Sequence, residues 1–302
     1  IMRISSENCC NLEVNMKKAT HPYLTRQNMM TSDYEIFHYS DTNLYKVNLH
    51  HHDFYECYLF ISGDVTYIIE GKTYTLIPGD IVLINSRDLH QPIINKVSKP
   101  YERIVLWINK EFLNSLSTKT MDLKRCFEDS KRKNVLRTDF EVQSNIRNIL
   151  FKLLNLETYK GMGKDLLYKA YLVELFVYIN TQLFHNNSKA SIEIKKSSLI
   201  DEIIQYINNN IKEDIRLDEL SEKFYISKYH MLREFKKHTG TTIHKFIIQK
   251  KLILAKEYIL NGMPINSVYE HAGFGDYSNF FRAFKNEYGL TPKQFYKMMK
   301  RE

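Results

Sequence analysis

Three histidines and one glutamate in the first third of the chain are of the residue types that bind metal ions or small polar molecules. His50, His52 and Glu56 follow the pattern H-x-H-x3-E, and His90 comes after Gly79 and ten intervening residues. Imidazole nitrogens are ligands of zinc, copper, iron and nickel, and carboxylates are ligands of magnesium, calcium and manganese. The four side chains are therefore a candidate centre for a divalent ion or a small ligand.

Cationic and amide side chains near the end of the chain form a second candidate centre, and they occur in a repeat. Four residues recur 49 positions later with unchanged type: Arg233, Phe235, Lys236 and Gly240 match Arg282, Phe284, Lys285 and Gly289. An Arg guanidinium can bridge O6 and N7 of guanine in the major groove, and an Asn can pair with adenine. Lysines suit phosphates, which position a protein without reading the sequence.

Each copy of the repeat predicts a helix, a tight turn and a second helix. The first copy comprises a helix over 217–224, a turn at 225–226, Ser227 as N-cap and a helix to about His238 that Gly240 ends. The second copy comprises a helix over 265–272, a turn over 273–276 with Asp276 as N-cap, and a helix over 277–288. Two matched copies favour a functional pair over two merely solvated helices.

The second helix of each copy has two faces at 100° per residue. The apolar residues Met231, Phe235, Phe280, Phe284 and Tyr288 are predicted to point into a core. The opposite, outward faces hold Tyr229, Leu232, Arg233 and Lys236 in the first copy, and Ser278, Asn279, Arg282, Lys285 and Asn286 in the second. Between the copies, residues 242–261 read as one helix of roughly 30 Å, close to the roughly 34 Å turn of B-DNA.

The rest of the chain divides by its hydrophobic period. Residues 44–108 have short alternating stretches with turns at Gly63, Gly71 and Gly79, which predict a small antiparallel sandwich or barrel. Residues 139–185 have two amphipathic helical faces, which either mediate dimerisation or cover the barrel. Residues 186–196 are polar and aperiodic and predict a linker.

Composition and charge narrow the class of protein. The 302 residues are 43% hydrophobic and 26% charged, which is typical of globular proteins, and no apolar run is long enough for a membrane span. The net charge of +8 suits a polyanionic partner. Cys9, Cys10, Cys57 and Cys126 form no CxxC pair, so we expect reduced thiols in a cytoplasmic protein.

Residues 197–297 resemble the DNA-binding domain of AraC-type transcription regulators. The stretch from Gly273 to Lys285 reads GFGDYSNFFRAFK, is closed by Gly289-Leu290-Thr291-Pro292, and matches the family's signature in order and spacing. The resemblance implies a seven-helix domain with two helix-turn-helix units that reads asymmetric sites near promoters. It also implies RNA polymerase as a partner and activation rather than repression.

The resemblance places base-reading residues on both second helices. Carried over position by position, they are Tyr229, Leu232 and Arg233 in the first and Ser278, Asn279 and Arg282 in the second. With the flanking caps and lysines, the predicted DNA-binding residues are Ser227, Lys228, Tyr229, Leu232, Arg233, Lys236, Lys237, Tyr277, Ser278, Asn279, Arg282 and Lys285.

The histidine-rich segment, with six residues between Glu56 and Gly63, is similar to the two motifs of the cupin barrel. That resemblance implies that the imidazoles and the carboxylate converge inside the barrel. Two features depart from it: Asn85 and Arg87 replace a Pro and a Gly, and the leading Gly of the first motif is absent. In AraC-type regulators similar residues commonly occur without a catalytic metal. The candidate effector-binding residues are therefore His50, His52, Glu56, Arg87 and His90, and Arg103 is a further candidate partner for an anionic effector.

We interpret the chain as an α+β, cytoplasmic, effector-controlled transcription regulator and not an enzyme, with no metal and no cofactor. The expected parts are a cupin-like antiparallel β-barrel sensor over 1–138, a helical segment for homodimerisation over 139–185, a linker over 186–196 and an all-α double helix-turn-helix domain over 197–302. Its expected partners are promoter DNA, a small-molecule effector and a second copy. The alternatives are a metal-dependent cupin enzyme, an effector-independent DNA-binding protein, or a barrel in which Glu56 and His90 only hydrogen-bond internally.

Overall fold

A computed structural model describes residues 29–42, 47–96, 99–184, 194–195 and 198–299. Within these residues the strands are β1 (Tyr34–Asp41), β2 (Tyr55–Ser62), β3 (Asp64–Ile69), β4 (Lys72–Thr75), β5 (Ile81–Ile84), β6 (His90–Lys96), β7 (Tyr101–Ile108), β8 (Val135–Leu136) and β9 (Ile194–Lys195). The helices are α1 (Lys110–Ser115), α2 (Arg125–Glu128), α3 (Phe140–Leu156), α4 (Lys164–Phe184), α5 (Ser198–Asn209), α6 (Leu217–Lys223), α7 (Lys228–Thr239), α8 (Ile243–Leu260), α9 (Ile265–His271), α10 (Tyr277–Tyr288) and α11 (Pro292–Met299).

The strands form two antiparallel sheets, as the alternating pattern predicted. One sheet has the order β1-β7-β2-β5-β8 and the other the order β6-β3-β4-β9. The inward side chains of both sheets make one apolar cluster that includes Tyr58, Tyr67, Val82 and Trp107. Together the two sheets are called the barrel below, and the mixed α+β prediction is confirmed.

Helices α3 and α4 cover the outer face of the first sheet. Ile146, Ile149, Leu150 and Leu153 of α3 are buried in a cluster shared with β1, β2, β5 and β7. The amphipathic faces predicted over 139–185 therefore pack against the barrel.

Strands extend beyond the range 44–108 that the sequence pattern predicted. Strand β1 begins at Tyr34, before the predicted start at residue 44, and pairs along its full length with β7. Within the predicted linker, Ile194 and Lys195 pair with Tyr74 and Thr73 of β4. Such two-residue pairings depend on a distant partner and leave no local hydrophobic period.

Seven helices, α5 to α11, make up the C-terminal part of the described chain. The first helix-turn-helix unit is α6–α7 and the second is α9–α10. Phe235 and Phe246 lie in the core of the first unit, and Phe274, Phe280 and Phe284 in that of the second.

Two further sequence expectations can be compared with the described residues. Cys57 and Cys126 are free, buried thiols, whereas Cys9 and Cys10 lie outside the described residues. Across the described part of the chain, every helix falls short of the length and apolar character that crossing a membrane requires.

Candidate nucleic-acid interface and effector site

Helix α7 is bounded by the two residues expected from the sequence. The Ser227 hydroxyl accepts a hydrogen bond from the backbone N–H of His230, which satisfies an otherwise free donor of the first turn. Gly240 adopts a left-handed φ of 73° at the other end. Met231 and Phe235 are fully buried, so the opposite side of α7 faces solvent.

Helix α10 repeats this construction. The Asp276 carboxylate accepts a hydrogen bond from the backbone N–H of Asn279 at 2.7 Å, and Gly289 ends the helix with a φ of 69°. Phe280 and Phe284 are fully buried. The predicted caps and inward faces of both recognition helices are thus present.

The outward face of α7 exposes most of the predicted reading residues. Tyr229 is 74% exposed, and the Arg233 guanidinium lies 5.9 Å from the centre of its ring. Arg233 also lies within 3.4 Å of the Glu234 carboxylate. Leu232 differs from the expectation: it is half-buried against the core of the first unit, because its position falls at the edge of the apolar face.

The outward face of α10 is a connected polar surface. The Arg282 guanidinium donates to the Asn279 side-chain oxygen at 2.7 Å, and the Asn279 amide donates to Asp276. Ser278, Asn279 and Arg282 are all exposed. A guanidinium and an amide held side by side on one helix face can present donors and acceptors to neighbouring base edges.

The predicted phosphate-binding lysines surround these faces. Lys236, Lys237 and Lys285 are exposed near the C-terminal ends of α7 and α10. Lys228 is exposed at the start of α7 but donates to Asp218 at 2.8 Å, which offsets part of its charge. Tyr277, the remaining predicted residue, is 40% exposed at the start of α10.

In the barrel, three of the predicted ligands come together and are buried. One ring nitrogen each of His52 and His90 and a carboxylate oxygen of Glu56 lie within 4.8 Å of one another. His50 lies against them, with its ring centre 4.2 Å from that of His90. Trp107 donates to Glu56 at 2.8 Å and orients the carboxylate.

The donor set of this cluster fits a divalent ion. Nδ1 of His50, His52 and His90 each faces a backbone carbonyl oxygen at 2.8–2.9 Å, so Nδ1 must donate and Nε2 is left as the acceptor. Among the described residues, Nε2 of His52 and of His90 has no hydrogen-bond partner. Backbone carbonyls that orient imidazoles in this way are typical second partners of metal-binding histidines.

The protonation state of the cluster agrees with this donor set. Burial, with repulsion from His52, lowers the pKa of His50 to about 4, and burial lowers the pKa of His90 well below its ordinary value. Burial acts to raise the pKa of Glu56, but the nearby His52, whose Nε2 lies 3.6 Å from the carboxylate, and the hydrogen bond from Trp107 outweigh it, and the net pKa is lowered. Neutral His50 and His90 beside an ionised carboxylate are the forms that bind cations.

The space beside the cluster is small. The barrel interior between Glu56, Tyr58, Tyr67 and Arg103 has a cavity of about 10 Å³, comparable to the space that one water molecule requires. Glu56 lines this cavity and the three histidines do not, and an organic molecule would require the side chains to move apart.

The two candidate arginines have different surroundings. Arg87 lies outside the cluster: its side chain is 65% exposed and pairs with Glu257 of α8 at 2.5 Å. Arg103 faces the barrel interior, is almost fully buried and pairs with Asp41 at 2.7 Å.

Sequence reasoning missed the neighbours of this cluster. His51 is buried, its ring centre lies 6.2 Å from that of Tyr288, and neither ring nitrogen has a hydrogen-bond partner among the described residues. Asp53 pairs with Lys256 of α8 at 2.5 Å. In an extended segment alternate side chains point to opposite sides. This alternation was the one signal in the sequence that could separate His51 and Asp53 from His50 and His52. Their partners lie some 200 residues away and could not be read from local pattern.

Comparison with known proteins gives matches over both parts of the chain. A family model described as an AraC-like ligand binding domain matches residues 34–175, and one described as a helix-turn-helix domain matches residues 220–298. The chain belongs to the AraC-type transcription regulators. It is a DNA-binding regulator that carries a ligand-binding domain.

Individual relatives of this AraC-type regulator are distant. The HTH-type transcriptional activator RhaS of Salmonella paratyphi A is 20% identical over 245 residues, which cover 81% of this chain and 85% of that protein. A structure of ToxT from Vibrio cholerae with a bound unsaturated fatty acid has 16% identity and a TM-score of 0.38, covering 90% of this chain and 98% of that one. The C-terminal domain of AraT from Geobacillus stearothermophilus has 24% identity and a TM-score of 0.34, covering 34% and 88%.

Proposed function

We propose that this regulator reads a specific promoter sequence through α7 and α10 and activates transcription in response to an effector held in the barrel. One observation carries the first part: two helices with the same caps and buried phenylalanines expose a base-reading arginine at equivalent positions, Arg233 and Arg282. Helix α8 joins the two units, and its 18 residues span about 27 Å. That length suits two adjacent major grooves on one side of B-DNA.

The residues would divide the work by chemistry. Arg282 would pair with guanine, Asn279 with adenine, and Leu232, where its side chain remains accessible, with a thymine methyl group. Lys236, Lys237 and Lys285 would contact phosphates and hold the helices in register.

The effector site would be the cluster of His50, His52, Glu56 and His90. The two unpartnered Nε2 atoms, close to the Glu56 carboxylate, favour a divalent ion as a candidate occupant, held by His52, His90 and Glu56. Such an ion would supply a fixed positive charge, and the surrounding residues would bind and orient it. The barrel would then act as a sensor, and no turnover is expected.

The segment from His50 to Asp53 would transmit occupancy to the DNA-binding helices. His50 and His52 face the cluster, whereas His51 contacts Tyr288 at the end of α10 and Asp53 pairs with Lys256 of α8. Two more ion pairs join α8 to the barrel, Lys250–Glu70 at 2.6 Å and Glu257–Arg87 at 2.5 Å. An occupant that shifts this segment would favour one disposition of α8 and α10 over another.

We place the regulator in the cytoplasm, with RNA polymerase as a partner, on its family. A homodimer would use the outer surface of α3 and α4, where Leu166 is 68% exposed and Val177 is 37% exposed. A sedimentation mass of one chain at micromolar concentration would refute the dimer.

Selection from a randomised duplex pool with the full chain at about 0.15 M salt tests the proposed reading of DNA. Enrichment of an asymmetric motif with two short blocks about one helical turn apart is expected. Repeating the selection with zinc or manganese added, and with a chelator, tests the sensor. Binding without sequence preference under every condition would overturn the proposal.

A further inference from the structure

A buried lysine lies where the two helix-turn-helix units meet. Lys251 of α8 is only 6% exposed. Its ammonium group donates to the carbonyl oxygen of Glu213, between α5 and α6, at 3.0 Å. The same group donates to the carbonyl oxygen of Gly273, in the turn between α9 and α10. One cation therefore joins the loop before the first unit, the connecting helix and the second unit.

The backbone at this junction is closely packed. Gly273 has a left-handed φ of 80°, and a β-carbon at this position would lie 2.6 Å from the Ile211 carbonyl oxygen and 2.7 Å from that of Lys212. The turn of the second unit thus lies directly against the loop that precedes the first. Only glycine permits this approach without displacing backbone atoms.

Nearby acidic residues offset part of the cost of burying the Lys251 cation. Burial lowers the pKa of Lys251, while attraction from Asp214 and Glu213 acts in the opposite direction. The Gly273 carbonyl follows the C-terminal end of α9, where the helix dipole favours a cation. Removing the ammonium group would leave both partly buried carbonyl oxygens without this donor.

The junction lies beside an open cleft. This cleft, of about 670 Å³, is lined by Gln249 and Lys251 of α8 and by Arg282 and Asn286 of α10. Lys251 and Gly273 thus provide direct contacts between the second unit and the loop that precedes the first, in addition to the packing of α8 in both cores. We infer that Lys251 is a positioning residue that fixes the separation and rotation of α7 and α10, so that the protein accepts one spacing between the two blocks of its operator.

The inference rests on the proposed reading of DNA by both helices, and its consequence is a strict spacing rule. Adding one base pair between the blocks moves the second block by about 3.4 Å and turns it by about 35°. A rigid pair of helices cannot follow both changes. We expect the wild-type protein to lose affinity on the order of 100-fold per inserted or deleted base pair, as for the loss of base contacts in one block.

The test is a set of operators from the selection above, with the central spacing changed by one and two base pairs, bound to full-length variants. Lys251→Met should reduce the spacing penalty at least tenfold while both blocks are still read. Lys293→Met removes the same charge from an exposed position on α11 and should keep the wild-type penalty. An unchanged penalty in Lys251→Met, or a wild-type protein indifferent to spacing, would overturn the inference.

Two further measurements cover the case in which Lys251→Met does not fold. Gly273→Ala would displace the carbonyl group that Lys251 contacts. It should likewise reduce the dependence of affinity on the spacing between the blocks. A distance distribution between spin labels at Glu222 and Asn286 of the otherwise wild-type chain should be narrow without DNA. A broad distribution would refute a fixed junction. Absence of any sequence-specific binding would instead count against the proposed function, because the distance measurement does not depend on DNA.

Discussion

The two helix-turn-helix units share a backbone plan and differ in what their cores contact. The core of the first unit includes Leu89 and Leu49, which come from the barrel. The core of the second unit is built from its own helices, with Phe280, Phe284 and Phe295 in edge-to-face contact. The first unit is thus packed against the sensor, while the second contacts it mainly through the end of α10 and through α8. The two repeats therefore have similar outward faces, whereas their cores pack against different parts of the molecule.

The outward polar faces of α7 and α10 also differ. On α10, Asp276, Asn279 and Arg282 form a chain of hydrogen bonds that is ready to face DNA. On α7, Arg233 lies close to Glu234 and Leu232 is half-buried. If both helices read DNA as proposed, we expect the second unit to have the larger share of base reading.

The largest expected effect is the loss of stability when a core phenylalanine is removed. Phe284→Ala should lower the free energy of unfolding by about 3–5 kcal/mol, because it removes a fully buried ring and leaves a cavity. In hydrogen exchange, protection should fall in the second unit and stay unchanged in β2–β7. The matched change Phe235→Ala should lower protection in both the first unit and the barrel, and a loss confined to the helices would contradict the proposed packing difference.

A smaller effect is expected at the reading surfaces. Arg282→Ala should weaken binding to the selected operator by about 1–3 kcal/mol and relax specificity within one block. Arg233→Ala should cost less, because Arg233 is already close to a carboxylate in the free protein. Titrations against operator and random duplexes measure both. An equal loss on random DNA would make Arg282 a phosphate contact, and Lys237→Ala is the control that should show such a loss.

The smallest expected effect is a change in stability at the turns of the two helix-turn-helix units. Tyr225 has a left-handed φ of 53° and is 95% exposed, whereas the equivalent residue of the second unit is Gly273. Tyr225→Gly should raise the free energy of unfolding by about 1 kcal/mol, since it relieves backbone strain and loses little contact. Urea unfolding measures the change, and Gly273→Ala should act in the opposite direction. Destabilisation by Tyr225→Gly would show that the ring makes a stabilising contact.

The features that could be predicted from sequence are those encoded locally. Ser227, Asp276, Gly240 and Gly289 bound the recognition helices through interactions within a few residues of themselves. Lys251 and Lys256 could not be recognised, because each is one charge on a long helix and its partners come from distant segments. The same holds for His51, whose burial depends on α10 lying against it.

The pairing of Ile194 and Lys195 with β4 limits how far the regulator can open. Helix α5 begins at Ser198, only three residues after this strand, and three residues span at most about 11 Å. If the contacts of α8 and of the first unit with the barrel were all broken, this short connection would keep the helices near the barrel, and their local concentration there would remain high. The helices would therefore return to the barrel by a short movement, without a long diffusive search. An effector would need to alter only the balance between two nearby positions of these helices.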